Sequence, residues 1–474
     1  MISGNLDQSH KMKKTPSRRQ FVKASAVTAA GFMIVPRHVL GKGFVPPSDK
    51  VNIAAVGIGG RGKENVGDLL KLPDVQVTAV ADPADYWDLS EYYYRSAAGR
   101  GPVREMIENH YAASTPNFKV TEYEDFRVML EKESSLDAVL CATPDHLHAY
   151  VSVMAMRAGK HAYCEKPLTH NIWEARLVQK TARETKLATQ MGNQLHSTPS
   201  IRNAVAALRG GVIGPVREVH SWVPATRWDK SLTSMPDKED VQPIGLNWDL
   251  WLGPRSERPF NDSYAPVIWR DFWEFGLGAL GDFGCHDMDA ATWGLDLPLP
   301  ETVEVLPAGF SSDLITPYGE IGYYHFPTSV HKVPVKLTWY SGGLRPGKPE
   351  ALPAGFEFAR RGAMYIGDKG IMVTGGGPEP RFFPESLRPA ALPNVGLPTT
   401  NGHHRDWVDA IKGGAAASSN FEYGAHLTEI TLLGVLSLRL GGKKIYWDGA
   451  NMKAKGMPEA DVFIQEPVRK GWEF

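Results

Sequence analysis

Cysteine is scarce in this chain: Cys141, Cys164 and Cys285 are the three in 474 residues. So few, so far apart, exclude a disulfide framework. They form no CxxC or comparable metal spacing, and packed free thiols are expected. A surplus of one charge is also missing. The 52 Lys and Arg nearly balance 53 Asp and Glu, leaving a formal charge of −1. That argues against a general nucleic-acid or anionic-membrane binder. There is no internal repeat, and no apolar run long enough to span a membrane in the mature protein. With 47 Gly and 35 Pro the chain is rich in loops, yet 13 Trp and 16 Tyr argue for packed cores rather than disorder.

What is present begins at the N-terminus. Ser17-Arg18-Arg19-Gln20-Phe21-Val22-Lys23 precedes a mildly apolar run, Ala24 to Val35. Paired arginines before a short apolar stretch form a twin-arginine export signal, so a periplasmic or otherwise extracytoplasmic location is expected, reached through the twin-arginine machinery. Residues 1–45 are read as signal and linker. The remainder is long enough for two domains. These are placed at 46–190 and 191–440, with a C-terminal segment, 441–474, packing back on the body.

The first domain opens on an apolar run of strand length, Val51 to Val56. Gly57-Ile58-Gly59-Gly60-Arg61-Gly62 follows, then a helical stretch. A second apolar run ends at Asp82, twenty positions beyond the third glycine of the motif. This is GxGxxG between strand and helix. Gly57 permits the tight turn, Gly59 admits a pyrophosphate against the backbone, and Gly62 lets helix and strand pack closely. Asp82 would accept hydrogen bonds from a ribose and repel a 2′-phosphate. NAD is therefore favoured over NADP, although Arg61 could assist a 2′-phosphate. Strand and helix patterns keep alternating: a helix from Phe126, strands at Leu136–Ala142 and His161–Cys164, and a further strand at Leu187–Met191. The Tyr92-Tyr93-Tyr94 run between Asp82 and Phe126 is read as packing. Beyond residue 191, strand-like runs at 216–223, 302–307, 320–326, 334–340 and 364–374 predict a second, largely antiparallel sheet, with a hairpin turn at Ile366–Ile371. The fold class is α/β: a doubly wound parallel sheet of Rossmann type plus an α+β domain with a large, mostly antiparallel open sheet.

Gly281-Asp282-Phe283-Gly284-Cys285-His286-Asp287-Met288-Asp289 concentrates chemistry. If 281–295 is one helix, Asp282 and His286 lie at i and i+4 on one face, with Asp289 one turn further. A carboxylate there can orient an imidazole and raise its basicity. Two other readings stand beside this one: a metal site completed by His148 or His196, and a capped helix with a buried histidine. The preferred reading needs no metal.

With those residues on the page, the chain resembles the Gfo/Idh/MocA oxidoreductases, which act with a nicotinamide cofactor on sugars and cyclitols. The resemblance rests on GxGGRG at Gly57–Gly62, TPDHLH at Thr143–His148, CEKP at Cys164–Pro167 and Met191-Gly192-Asn193-Gln194. Gly278-Ala279-Leu280-Gly281-Asp282, Trp248–Pro254 and Trp447-Asp448-Gly449 extend it over nearly everything after residue 50. It implies Lys166 at the reacting hydroxyl, positioned by Glu165, with Asp282 and His286 handling protons and substrate. Gly57, Gly59, Gly60, Arg61, Gly62, Asp82, Thr143, Pro144, His148, Glu165 and Lys166 are the expected cofactor contacts. Asn193, Gln194 and His196 follow a strand end and could donate to hydroxyls. Arg227 and Trp228, then Tyr264, Trp269 and Arg270, combine aromatic faces with polar forks suited to carbohydrate. His403 and His404 open a helix and are expected at its solvated end. By resemblance alone, the second sheet is expected to join subunits into a homo-oligomer.

The expected function is an exported NAD-dependent oxidoreductase acting on a sugar or glycoside hydroxyl, with a tightly bound, internally recycled cofactor. Its twin-arginine signal, GxGGRG and GCH motif also resemble the NAD-dependent glycosidases of the superfamily. The alternative is therefore redox-neutral glycoside cleavage through a transient keto-sugar. A carbohydrate-binding or sensing protein with a vestigial NAD site is the third reading.

Overall fold

The computed structural model describes residues 49–474; the twin-arginine segment lies outside the described residues. The first sheet is built from buried, Val- and Ala-rich strands: β1 (Val51–Val56), β2 (Val75–Ala81), β5 (Thr121–Tyr123), β6 (Ala138–Cys141), β7 (His161–Glu165) and β8 (Thr189–Gly192). All pair in parallel, in the order β5-β2-β1-β6-β7-β8. The order reverses beside β1, so a crevice opens outside the carboxyl ends of the strands. Helices α1 (Gly60–Leu70), α2 (Arg100–Tyr111), α3 (Phe126–Lys132), α4 (His148–Arg157) and α5 (Ile172–Thr185) connect them. Helix α5 starts with a reciprocal cap: the Asn171 side chain accepts from the Glu174 N–H, and Glu174 accepts from Asn171. Between β2 and α2 the chain makes a small antiparallel hairpin, β3 (Trp87–Asp88) with β4 (Ala97–Ala98).

After helix α6 (Pro199–Arg209) the chain enters a nine-stranded sheet. Its first strand is β9 (Val216–Trp222), and a short helix, α7 (Trp248–Leu252), follows. Residues 278–295 form two helices, α8 (Gly278–Asp287) and α9 (Asp289–Leu295). Then come β10 (Thr302–Ala308), β11 (Gly319–Phe326), β12 (Val335–Tyr340), β13 (Gly362–Gly367), β14 (Gly370–Thr374) and β15 (Arg381–Phe383). Helices α10 (His403–Ile411) and α11 (Phe421–Arg439) precede the last strands, β16 (Ile445–Asp448) and β17 (Lys453–Ala454). The order is β15-β14-β13-β9-β12-β11-β10-β16-β17, and only β9 with β12 pairs in parallel. The predicted 364–374 run is thus a hairpin of β13 and β14 turning at Asp368-Lys369.

Helix α11 is apolar nearly all round and buried along most of its length, as expected of a helix packed on every side. It lies against α5 on the first sheet and against β10 of the second, so one core runs through both. Residues Lys50–Phe474 accordingly form a single compact unit. The C-terminal segment adds β16 to the edge of the second sheet and tucks Trp472 against Tyr150 and Phe126. Among the described residues, no helix is long and apolar enough to cross a membrane.

Candidate active site

The carboxyl ends of β1, β2, β6 and β7 face α8 across a cleft of about 470 Å³. Its nucleotide end is the glycine turn. Gly57 has φ +74°, a left-handed conformation that glycine adopts without strain, and a Cβ there would strike the backbone of Thr143. A Cβ on Gly62 would overlap the Gly57 carbonyl. Gly59 differs: its Cβ position meets nothing within 4 Å and opens onto the cleft. The first N–H groups of α1 lie beside that space without intrahelical acceptors. Open backbone, a helix N-terminus and an acidic strand end fit a dinucleotide pyrophosphate and ribose.

Asp82 stands at that strand end, buried, with Oδ2 accepting from the Ile58 N–H (2.8 Å) and Oδ1 from the Ala84 N–H (2.9 Å). Burial raises its pKa to about 6, against the pull of these two N–H groups and Arg100. The carboxylate therefore also braces the glycine turn, with lone pairs left for a ribose. Arg61 is not a free cation for a 2′-phosphate. Its Nη1 pairs with Glu64 at 2.8 Å and its Nε with Glu165 at 3.3 Å.

Glu165 corrects one expectation. Instead of positioning Lys166, its Oε1 collects donors from Asn65 (2.8 Å), Gln194 (2.7 Å) and Arg61. Lys166, half-buried at the start of the next loop, reaches the opposite way. Its Nζ donates to Asp282 Oδ1 at 2.5 Å and to the Asp282 carbonyl at 2.6 Å. Burial alone would raise the Asp282 pKa, but Lys166 and Arg270 hold it down to about 2. Arg270 Nε lies 3.7 Å from Asp282 Oδ2.

His286 sits one turn after Asp282 and lines the same cleft. Burial, then Lys166 and Arg361, push its pKa well below the usual value, so the imidazole is neutral. Its buried Nδ1 has no hydrogen-bond partner among the described residues. The expected carboxylate–imidazole pair is thus rearranged. Asp282 serves Lys166 and Arg270, and His286 is left as an unengaged neutral base facing the cleft.

Asp289 also departs from expectation, because the predicted single helix breaks at Met288. It is buried away from the cleft, accepting from His196 Nδ1 (2.9 Å), the Tyr423 hydroxyl (2.5 Å) and Asn193 Nδ2 (3.3 Å). Asn193 and His196 are consequently spent inside the protein and do not line the cleft, while their neighbour Gln194 does. Cys285 is buried beside the hydroxyls of Thr428 and Thr431, as a packed thiol should be. Asp287 is tied by a two-point ion pair to Arg361, which itself lines the cleft.

Trp269 and Arg270 face the cleft, but Arg227 and Tyr264 do not. Arg227 is buried and donates to the carbonyls of Asp229 (3.0 Å) and Thr316 (3.1 Å). Tyr264 belongs to an aromatic cluster with Trp248, Phe272 and Phe275. His403 and His404 are buried rather than solvated. His403 Nε2 lies 2.8 Å from the Met191 carbonyl, and His404 Nε2 lies 3.1 Å from Asn65 Oδ1. Thr143, Pro144 and His148 line the cleft. His148 is wedged between the Thr143 carbonyl (2.9 Å) and the Pro167 carbonyl (2.6 Å), so it braces two loops at once.

Sequence reasoning missed Asp145, Arg361 and Tyr93. Asp145 sits inside the TPDHLH motif, buried at the cleft wall. Burial raises its pKa to about 8, against the opposing pull of Arg270 and Lys166, so it stays protonated at neutral pH. Its place between Pro144 and His146 was the available signal.

A glycine turn for a dinucleotide thus shares one cleft with a strand-end lysine and an Asp-x-x-x-His helix. Comparison with known proteins agrees. Residues 102–193 match the Gfo/Idh/MocA oxidoreductase family's NAD-binding Rossmann fold, and residues 211–327 match its C-terminal alpha/beta domain. Both matches are to domains of the Gfo/Idh/MocA oxidoreductase family, each over part of this chain. A glycosyl hydrolase family 109 protein of Shewanella sp. (strain W3-18-1) is 24% identical over 213 residues, covering 42% of this chain and 43% of the relative. A levoglucosan dehydrogenase of Pseudarthrobacter phenanthrenivorans is 25% identical over 170 residues, covering 36% and 35%. The chain thus spans less than half the length of the curated relatives it matches. Among solved structures, the WlbA dehydrogenase of Bordetella pertussis, in complex with NADH and UDP-GlcNAcA, aligns with TM-score 0.55 at 16% identity, covering 84% of this chain and 99% of the other. The aldose-aldose oxidoreductase of Caulobacter crescentus, complexed with glycerol, aligns at 0.52 and 16% identity, covering 84% and 100%. At such identities these two structures speak for the fold.

Proposed function

We propose that this protein is an NAD-dependent oxidoreductase acting on a hydroxyl of a sugar or glycoside. The observation that carries the reading is Lys166. It is fixed by Asp282 at a strand end, opposite a neutral His286, in the same cleft as the glycine turn. The dinucleotide, when bound, supplies the hydride acceptor. Gly57, Gly59, Gly60 and Asp82 would hold it, and with Arg61 engaged by Glu165 and Glu64, NAD is preferred over NADP. Lys166 orients the reacting hydroxyl by donating a hydrogen bond to its oxygen. His286, neutral and lining the same cleft, takes up the hydroxyl proton. Gln194, Trp269, Arg270 and Arg361 bound the substrate end.

The twin-arginine signal adds export to this proposal, and with it a retained cofactor, because an exported enzyme leaves the cytoplasmic NAD pool behind. Glycoside cleavage is the second reading, favoured by one observation: Asp145 presents a protonated carboxyl to the cleft and can protonate a departing glycosidic oxygen. The relatives named glycosyl hydrolase family 109 support it. The test is to incubate the purified protein and NAD with a panel of sugars, glycosides and cyclitols. Nucleotide absorbance near about 340 nm and the carbohydrate products are followed together. Net nucleotide reduction identifies a dehydrogenase, and sugar release without it identifies the cleaving enzyme. Failure to bind nucleotide at all would remove both.

A further inference from the structure

We propose that the mouth of the cleft carries a second binding subsite, an aromatic platform of Tyr93 and Trp228 that takes the distal ring of a two-ring glycoside. The inference rests on reading the cleft as a carbohydrate site.

Tyr93 is delivered by the insertion between β2 and α2. That segment is anchored to the glycine turn: Lys63 Nζ donates to the Ala97 carbonyl at 2.7 Å and the Gly99 N–H to the Ile58 carbonyl at 3.2 Å. Tyr94 lies directly over Gly60, where a Cβ would overlap its ring. Tyr93 in turn packs against Tyr94, with centroids 3.9 Å apart and planes tilted by 34°, and is 59% exposed. Trp228 arrives from the other side, in the loop after β9. The buried Asp271 carboxylate accepts from the N–H groups of Trp228 (2.9 Å) and Asp229 (2.7 Å). Arg227 clamps the same loop through the Asp229 and Thr316 carbonyls. Trp228 is left 37% exposed, its ring 5.9 Å from that of Tyr93 and inclined by 24°.

Two large rings are thus held firmly at their roots while part of each stays exposed to solvent. Core packing does not ask for this, since burial of such rings is favourable wherever the fold can supply it. The arrangement suits recognition: rigid aromatics at a cleft, with a polar partner between them and the chemistry. Arg270 is that partner. Its guanidinium lies 5.7 Å from the Trp228 ring, 4.1 Å from the Trp269 ring and beside Asp282. A line therefore runs outward from Lys166 and Asp282 through Arg270 to Trp228 and Tyr93. The reacting ring occupies the buried inner end. A second pyranose, with an apolar C–H face and a hydroxyl edge, matches aromatic faces bordered by a guanidinium.

Isothermal titration tests this with matched ligands: the methyl glycoside, the 4-nitrophenyl glycoside and a disaccharide of glucose, galactose and N-acetylglucosamine. For the sugar that binds, two-ring ligands should bind about tenfold more tightly than the methyl glycoside, the order expected of one good aromatic contact. Trp228→Ala and Tyr93→Ala should bring that ratio close to one, and Trp228→Phe and Tyr93→Phe should keep most of it. A ratio near one in the natural protein, or a ratio unchanged in both alanine variants, overturns the platform. If methyl glycosides bind and reduce NAD while the ratio is near one, the platform alone falls. If no carbohydrate binds or reacts, the reading of the cleft falls with it.

Discussion

Lys166 and Asp282, 116 positions apart, are joined twice, through the carboxylate at 2.5 Å and the main-chain carbonyl at 2.6 Å. The pair ties the loop after β7 of the dinucleotide sheet to the helix that carries His286. It fixes the ammonium where a hydroxyl must approach. Lys166→Ala should lower kcat by about 10²–10³, the usual scale for losing a donor aimed at the reacting oxygen. Nucleotide binding should persist. Titration of NAD into the variant, beside its steady-state kinetics, checks both halves.

The glycine turn offers a sharper separation. Gly59→Ala meets no protein atom within 4 Å but fills the space left for the pyrophosphate. It should weaken NAD binding by at least about tenfold and leave the thermal midpoint almost unchanged. Gly62→Ala drives a methyl into the Gly57 carbonyl and should cost about 1–3 kcal/mol of stability. Thermal melts with and without NAD distinguish the two variants.

Asp145 gives a pH dependence with a defined sign. Its folded pKa, about 8, lies above the ordinary 3.8. The native state therefore keeps a proton that the unfolded chain has released over most of pH 4 to 8. Its contribution to stability is full below that window and declines as pH rises through it. Asp145→Asn cannot ionise, so its melting temperature should fall less than the natural protein's between pH 5 and 8. Parallel melts of the two apoproteins across that range are the check. If the protein cleaves glycosides, cleavage should also decline above about pH 8, as the acid form is lost.

Asp289 should behave as a stability residue. It is fully buried and holds His196, Tyr423 and Asn193 together. Asp289→Ala strands those groups and should cost about 3–5 kcal/mol, measured by denaturant unfolding. Conservative repair at the same site, Asp289→Asn, should recover part of the loss.

Most of the scaffold was legible because periodicity and turn chemistry are local. Strand, glycine turn, helix and Asp82 follow one another within some thirty residues, and the runs read for β9 to β14 of the second sheet end within a residue or two of the observed strands, whereas β15, β16 and β17 were not read. Helices α2, α5 and α6 were not read from the sequence. Arg100–Tyr111 lies inside a polar and aromatic stretch, and its apolar face of Val103, Ile107 and Tyr111 packs into the core of the first sheet. In the site, the strand-end lysine and the i, i+4 pair were legible because each depends on one element. The partners were not. Glu165 turning to Arg61 and Asn65 and the burial of Asn193 and His196 beside Asp289 depend on contacts between elements far apart in sequence. Cys141 and Cys164, 23 positions apart, likewise become in-register neighbours on β6 and β7 with His148 alongside. Sequence spacing carries no trace of that. Tyr93 was read as packing because a tyrosine run has no period, and only the fold shows one ring turned outward.

The central claim is hydride transfer to the dinucleotide from a carbohydrate carbon in this cleft. Its most direct test uses a sugar or glycoside that the protein oxidises or cleaves, deuterated at each ring carbinol carbon in turn, under single-turnover conditions with stoichiometric NAD. Mass spectrometry of the nucleotide, quenched during the turnover, should find deuterium from one ring position and a single face, with the signal lost in Lys166→Ala. Carbohydrate turnover that places no deuterium in the nucleotide from any ring position would contradict the account.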